Sequence, residues 1–289
     1  MDTGIVYVAV GSPYREECLI SAASVKEHMP DVPITLMTDA PLSSDHVDSV
    51  EFISDPTYSS ADVIESLVHT PYERTIFLDT DIYVDDDISE LFSMLDSFDL
   101  GVVIDPTHTC PRDNPIPIVP ETFPEFNTGL IAFQRNERTT SFFRSWSSLF
   151  TYHGSSADQP SFRDTVYLSD LRLLTLPPEY NCLYGPYPGY AYGKIKIFHG
   201  RLIDDEGFTG LSYQHDPAEA RRILNSSHYA RAFSWDGQFQ IHQNRKRTVS
   251  LTRQFLDSIQ SDGMIETGRK TAEYLTNRLA SSSPLTNER

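Results

Sequence analysis

Residues 75–84 read T-I-F-L-D-T-D-I-Y-V. The apolar run Ile76-Phe77-Leu78 breaks off in Asp79-Thr80-Asp81. A strand that is apolar at every position is buried on both faces, which predicts a parallel sheet sandwiched between helices. Two carboxylates two residues apart at the end of such a strand contribute nothing to packing. They fall where an open α/β sheet places its ligand crevice. Unpaired, they repel each other and resist burial, and a divalent cation relieves both problems. The stretch therefore predicts a metal site at a strand end, with its remaining partners supplied by distant segments.

Working outward, residues 5–10 predict a strand, 14–29 a helix with an apolar stripe through Cys18, Leu19, Ala22, Val25 and Met29, and 34–38 a second strand. That is a βαβ unit, for which a right-handed crossover is expected. Further strands are expected at residues 50–53, 100–104, 130–133, 171–176 and 194–198, and helices at 60–69, 88–95, 137–150 and 161–168. The face of helix 137–150 that carries Phe142, Phe143, Trp146 and Phe150 reads as core. Residues 105–126 hold six prolines and little periodicity, and predict a long loop of the kind that forms a lid or substrate wall. Asp85-Asp86-Asp87 read as a solvated helix start, where negative charge opposes the dipole. The expected division is one α/β domain over residues 1–203, helices at 216–232 and 249–279 within an extension over 204–280, and a disordered tail at 281–289.

Composition narrows the partners. The net charge of −18 opposes nucleic acid and anionic membrane surfaces. There are only 5 Lys against 18 Arg, a bias that fits a high-salt cytoplasm or simply an acidic surface. Cys18, Cys110 and Cys182 are few, odd in number and far apart, so a reducing, cytoplasmic setting is expected. Met1 leads almost directly into a strand, so no signal peptide is expected, and no apolar run approaches the ~20 residues of a membrane helix. Neither G-x-G-x-x-G nor G-x-x-x-x-G-K-[ST] occurs. A phosphate-bearing ligand here would depend on a metal in place of a glycine cradle.

Four features fall at strand ends or in adjoining loops: Asp79/Asp81, Asn127-Thr128-Gly129, Asp158-Gln159 and His199. Two carboxylates and an imidazole suit Mn²⁺ or Mg²⁺ and leave positions for phosphate oxygens. Each residue has a plainer reading. Asp-x-Asp can be a turn, His199 a structural histidine, Asn127 a strand-end cap and Asp158 a helix cap. Arg74 can simply pair with an acidic neighbour, and Tyr14 can staple the first helix.

In order along the chain, V-Y-V-A-V-G-S-P-Y, P-Y-E-R-T-I-F-L-D-T-D-I-Y-V, F-N-T-G-L-I-A-F, A-D-Q-P, L-P-P-E-Y-N and I-F-H-G resemble the motifs of GT-A glycosyltransferases of family 8, the glycogenin and bacterial galactosyltransferase-like group. The resemblance covers residues 5–201. It implies a Rossmann-like, mainly parallel mixed sheet and transfer of a hexose from a nucleotide-diphosphate donor, a UDP-sugar foremost, with retention. The acceptor stays open among a glycan, a lipid-linked sugar, a small molecule and a protein. The resemblance also implies roles: Val8, Val10, Gly11, Tyr14, Arg74, Asp79 and Thr80 at the nucleotide; Asp79, Asp81 and His199 on the metal; Gly200 and Arg201 at the diphosphate; and Asn127, Asp158 and Gln159 around the donor sugar as the catalytic set. The chain departs from the family pattern after His199, where Gly200-Arg201 stands in place of a lysine-bearing run. Two rivals remain: a haloacid-dehalogenase-type phosphohydrolase, which also opens on D-x-D after a strand, and a catalytically inactive module that binds a sugar nucleotide.

Overall fold

The structure is a computed structural model and describes residues 2–106, 116–183, 189–202, 225, 231–235 and 239–243. Its main sheet has seven strands: β1 (Thr3–Ala9), β2 (Ile34–Thr38), β3 (Ser49–Phe52), β4 (Arg74–Leu78), β6 (Leu100–Ile104), β7 (Phe126–Gln134) and β8 (Leu173–Thr175). Their order is β3-β2-β1-β4-β7-β6-β8. Strands β1 to β4 run parallel, β7 is antiparallel to both β4 and β6, and β8 is parallel to β6. The mixed, mainly parallel sheet matches the sequence expectation. The interruption by β7 was not legible, because strand direction leaves no local trace.

Strand periodicity divides the core. Ile5, Tyr7, Ala9, Ile76 and Leu78 face α1 (Ser12–His28), together with Cys18, Ala22 and Val25. Val6, Val8 and Phe77 face the other way. There they meet α4 (Glu137–His153) and α5 (Gln159–Leu168), whose Phe142, Phe143, Trp146 and Phe162 pack edge to face. The buried stripe of α1 differs from the expected one. Leu19 is only half-buried, and the buried face instead carries Glu17, Ser21 and Ser24. Two of these are tied into the fold: Ser21 Oγ lies 2.8 Å from the Tyr7 hydroxyl, and Ser24 Oγ accepts from the Val84 amide.

A second, smaller sheet decides the position of the site. Strand β5 (Ile82–Val84) lies antiparallel to β11 (Ile197–His199), and β9 (Cys182–Leu183) runs parallel to β11. The turn Asp79-Thr80-Asp81 is therefore the seam between two sheets, leaving β4 of one and entering β5 of the other. The Asp79 amide donates to the Gly129 carbonyl on the main-sheet side, and the Gly200 amide donates to the Asp81 carbonyl on the other.

Several expectations change. Helix α3 is shorter, Glu90–Met94, so Asp85-Asp86-Asp87 precede it in a turn. There Asp87 accepts from the Ser89 amide and Asp86 pairs with Lys194. A further strand, β10 (Gly189–Ala191), pairs with β12 (Arg231–Trp235), which pairs with β13 (Phe239–Gln243). Residues 231–243 thus contain a hairpin in place of the expected helix end and polar segment. The rest of the expected C-terminal helices, the tail and residues 107–115 of the proline-rich loop lie outside the described residues. Among the described residues, no helix is long and apolar enough to cross a membrane.

Far from the seam, buried Asp99 holds three elements together. It accepts from the amide, Nε and Nη2 of Arg172 ahead of β8, and from Arg138 and Asn136 at the start of α4. The Arg172 guanidinium holds its carboxyl well below the usual range. A depressed carboxylate adds stability above its unfolded pKa of about 3.9, and that stability is lost as pH falls toward the folded value. Asp99→Asn is therefore expected to lower Tm by about 5 °C at pH 6, with the gap from wild type closing as thermal melts are repeated down to pH 3.

Candidate functional site

A cavity of about 700 Å³ opens beside the carboxyl ends of β1 and β4. Val8, Val10, Tyr14, Asp79, Thr80, Asp81 and Arg201 line it, joined by Tyr58, residues 59–63, Phe150, Thr151 and residues 154–156. The N-terminus of α2 (Ser60–Leu67) forms one wall and is closed by a capping box between Ser59 and Asp62. Tyr58 precedes it in the left-handed region, with φ 55°. Its flanks, Thr57 and Ser59, are both bonded to the Asp62 carboxylate, which holds the backbone there. Gly11, at φ 96°, begins α1 and donates its amide to Asp39, a turn that an L side chain would strain.

Where Asp79 and Asp81 line the cavity, their ligand atoms and that of His199 all lie within 4.8 Å of one another. The β5–β11 register sets His199 opposite Ile82, one residue past Asp81. Its Nε2 lies 3.2 Å from an Asp81 oxygen and 3.8 Å from one of Asp79. Its Nδ1 lies 2.8 Å from Asn181 Oδ1, an oxygen that can only accept, so Nδ1 donates there and Nε2 is the nitrogen that faces the carboxylates. Asn181 is itself held by donating to Asn127 Oδ1, which also accepts from the Gly129 amide. Partial burial and the adjacent Asp81 charge push the Asp79 carboxyl up to about 7, and Asp158 adds in the same direction. Burial opposes the charged imidazole, but Asp81 and Asp79 outweigh it and raise the His199 pKa. Two hard carboxylates and one imidazole nitrogen, crowded and aimed at a common point, fit a single Mn²⁺ or Mg²⁺ ion.

The structure thus gathers the expected metal set and most of the expected nucleotide set. It changes the reading of two residues, Arg74 and Asn127. Arg74 is a correction: it starts β4, at the opposite end of the strand from Asp79, and pairs with Asp96. A five-residue strand separates the two ends by roughly 15 Å, so its plainer reading holds. Asn127 is buried behind His199, and its oxygen holds Asn181. Asp158 and Gln159 start α5, and Asp158 makes no side-chain cap bond to that helix, although it stands at the capping position.

Three contributors went unread. Asn181 lies in the L-P-P-E-Y-N motif but was given no role. Gly129 is needed because a Cβ there would come 2.3 Å from His199 Cε1. Glu17, on the buried face of α1, accepts from both Arg201 and Thr80. Its signal was an acidic residue at helical spacing from Ser21 and Ser24.

No family model and no curated protein sequence matches the chain. Solved structures do. The galactosyltransferase LgtC, in complex with donor and acceptor sugar analogs, aligns with 15% identity and a TM-score of 0.50, over 79% of this chain and 96% of LgtC. An active-site mutant of LgtC aligns at 0.52 with 14% identity, over 78% of this chain and 95% of that one. The glycosyltransferase GlyE of Streptococcus pneumoniae aligns at 0.51 with 12% identity, over 78% of this chain and 61% of GlyE. Likeness at this level is one of fold, and the fold is the GT-A glycosyltransferase fold.

Because the imidazole packs directly on Gly129, Gly129→Ala is expected to displace His199 while leaving the sheet intact. Titration with Mn²⁺ should show affinity reduced about tenfold or more, with the far-ultraviolet circular dichroism spectrum unchanged.

Proposed function

We propose that the chain is a metal-dependent glycosyltransferase. It moves a hexose from a nucleotide-diphosphate donor, a UDP-sugar, to a hydroxyl acceptor with retention at the anomeric carbon, in a cytoplasmic setting. One observation carries this reading: Asp79, Asp81 and His199 converge, and both carboxylates line a cavity large enough for a nucleotide-sugar, at the strand ends of a GT-A fold.

Asp79, Asp81 and His199 would hold one Mn²⁺ or Mg²⁺ ion. When bound, that ion supplies charge against the diphosphate and makes it a better leaving group. Val8, Val10 and Tyr14 form the wall for the base, with Gly11 at the turn between them and Asp79 and Thr80 toward the ribose. Arg201 faces the diphosphate, and Gly200, bonded to the Asp81 carbonyl, sets where Arg201 leaves β11. Asn127 acts through Asn181 on the His199 ring, fixing which nitrogen it presents. Asp158 and Gln159 stand at the start of α5 on the donor-sugar side. In the transfer, the anomeric carbon–oxygen bond to the diphosphate breaks and a bond to the acceptor oxygen forms on the same face. The acceptor proton passes to the departing phosphate oxygen. The negative charge of Asp158 favours the positive character that develops on the sugar ring.

The phosphohydrolase alternative is less well supported: Lys194, the lysine such a site could draw on, pairs with Asp86, and the strand leading to Asp79 lies between β1 and the antiparallel β7.

Isothermal calorimetry with UDP and Mn²⁺ tests the proposal. Asp81→Ala should abolish metal-dependent binding, whereas Asp86→Ala, in the turn before α3, should change affinity less than about twofold. Equal losses in the two variants would refute the assignment. Screening UDP- and GDP-sugars for metal-dependent hydrolysis separates catalysis from an inactive binding module: wild type should turn over at least one donor, and Asp81→Ala none.

A further inference from the structure

Glu17 is fully buried on α1, yet two of its partners, Arg201 and Thr80, line the cavity. Its carboxylate accepts from Arg201 Nη1 at 2.6 Å, from the Leu202 amide at 2.9 Å and from Thr80 Oγ1 at 3.2 Å. It therefore ties together the first helix, the Asp79–Asp81 turn and the chain leaving β11. A buried carboxylate is tolerated only when paired and hydrogen-bonded, and here the pairing partner is a cavity residue.

That partner has a defined position. The Arg201 Nε lies 3.9 Å from Asp81 Oδ2, and its guanidinium carbon stands 5.8 Å from the centre of the Tyr14 ring. The guanidinium thus spans the gap between the base wall and the metal set, the span a diphosphate would occupy. It is also the single cationic side chain lining the cavity among the described residues. Lys194 and Lys196 are engaged elsewhere, with Asp86 and Glu90. A planar guanidinium can give one edge to a carboxylate and another to phosphate oxygens, whereas an ammonium is a point charge on a flexible stem.

We propose that Glu17 is a positioning residue that grips Arg201 by one edge and turns its guanidinium toward the diphosphate of the donor. Together, Glu17 and Arg201 perform in this chain the task of the lysine-bearing run that is missing after His199. This rests on the reading of the cavity as a nucleotide-sugar site.

The test compares UDP with uridine, both titrated in Mn²⁺ by calorimetry. Glu17→Gln and Arg201→Gln should each weaken UDP binding about tenfold or more and leave uridine within about twofold. The double variant should be no weaker than Arg201→Gln alone, because the two act as one unit. Equal losses for UDP and uridine, additive losses, or full UDP affinity in Glu17→Gln would overturn the inference. Should Glu17→Gln not fold, Arg201→Lys with Glu17 intact answers the same question. A lysine cannot serve both partners, so UDP affinity should fall about tenfold at unchanged Tm, and unaltered affinity would overturn the inference. Wild type that binds no UDP in Mn²⁺ removes the underlying reading as well. Wild type that binds while both Glu17→Gln and Arg201→Lys bind equally well removes this inference alone.

Discussion

Everything at the site depends on the pairing of β5 with β11. Backbone hydrogen bonds between these two short strands bring His199 beside Asp81, although the residues are far apart in the chain. The strand register has a period of two, so a one-residue slip would turn the imidazole to the other face. Gly200 donating to the Asp81 carbonyl and Gly129 making room beneath the ring both guard that register.

The second consequence of the seam is electrostatic. Asp79 leaves a sheet buried on both faces, and Asp81 enters a second sheet, so neither carboxylate can move away from the other. Burial and then the Asp81 charge raise the pKa of Asp79, and the two carboxylates together raise that of His199. Two carboxylates and an imidazole fixed this close together suit a cation. Around them, each polar group is braced from behind. Asn181 and Asn127 hold the imidazole, and Glu17 holds Arg201. The bracing residues are buried, so they keep the ligand-facing atoms in one arrangement at little entropic cost on binding.

Part of this was legible in residues alone. The apolar runs at 5–10, 34–38 and 76–78 are continuous because their strands are covered on both sides, and continuity is a local property. Asp79, Asp81 and His199 stood out because charge at the end of such a run has no packing role. Arg74 was misread for a geometric reason. A residue four or five positions before Asp79 is near it in sequence, but an extended strand carries it to the far edge of the sheet. The hairpin β12–β13 was missed although the sequence holds Asp236-Gly237 between alternating apolar and polar residues, a hairpin signal.

The sequence by itself determined the layered α/β architecture, the strand that ends in carboxylates and the kinds of side chain available to a metal. Those depend on local periodicity and on the chemistry of single residues. Only the tertiary structure decided which side chains meet: Glu17 with Arg201 and Thr80, Asn181 with both Asn127 and His199, Gly129 beneath the imidazole, and Arg74 away from all of them. Such meetings are set by strand order, register and the close approach of distant backbones, and these arise from the packing of the whole chain and not from any segment of it.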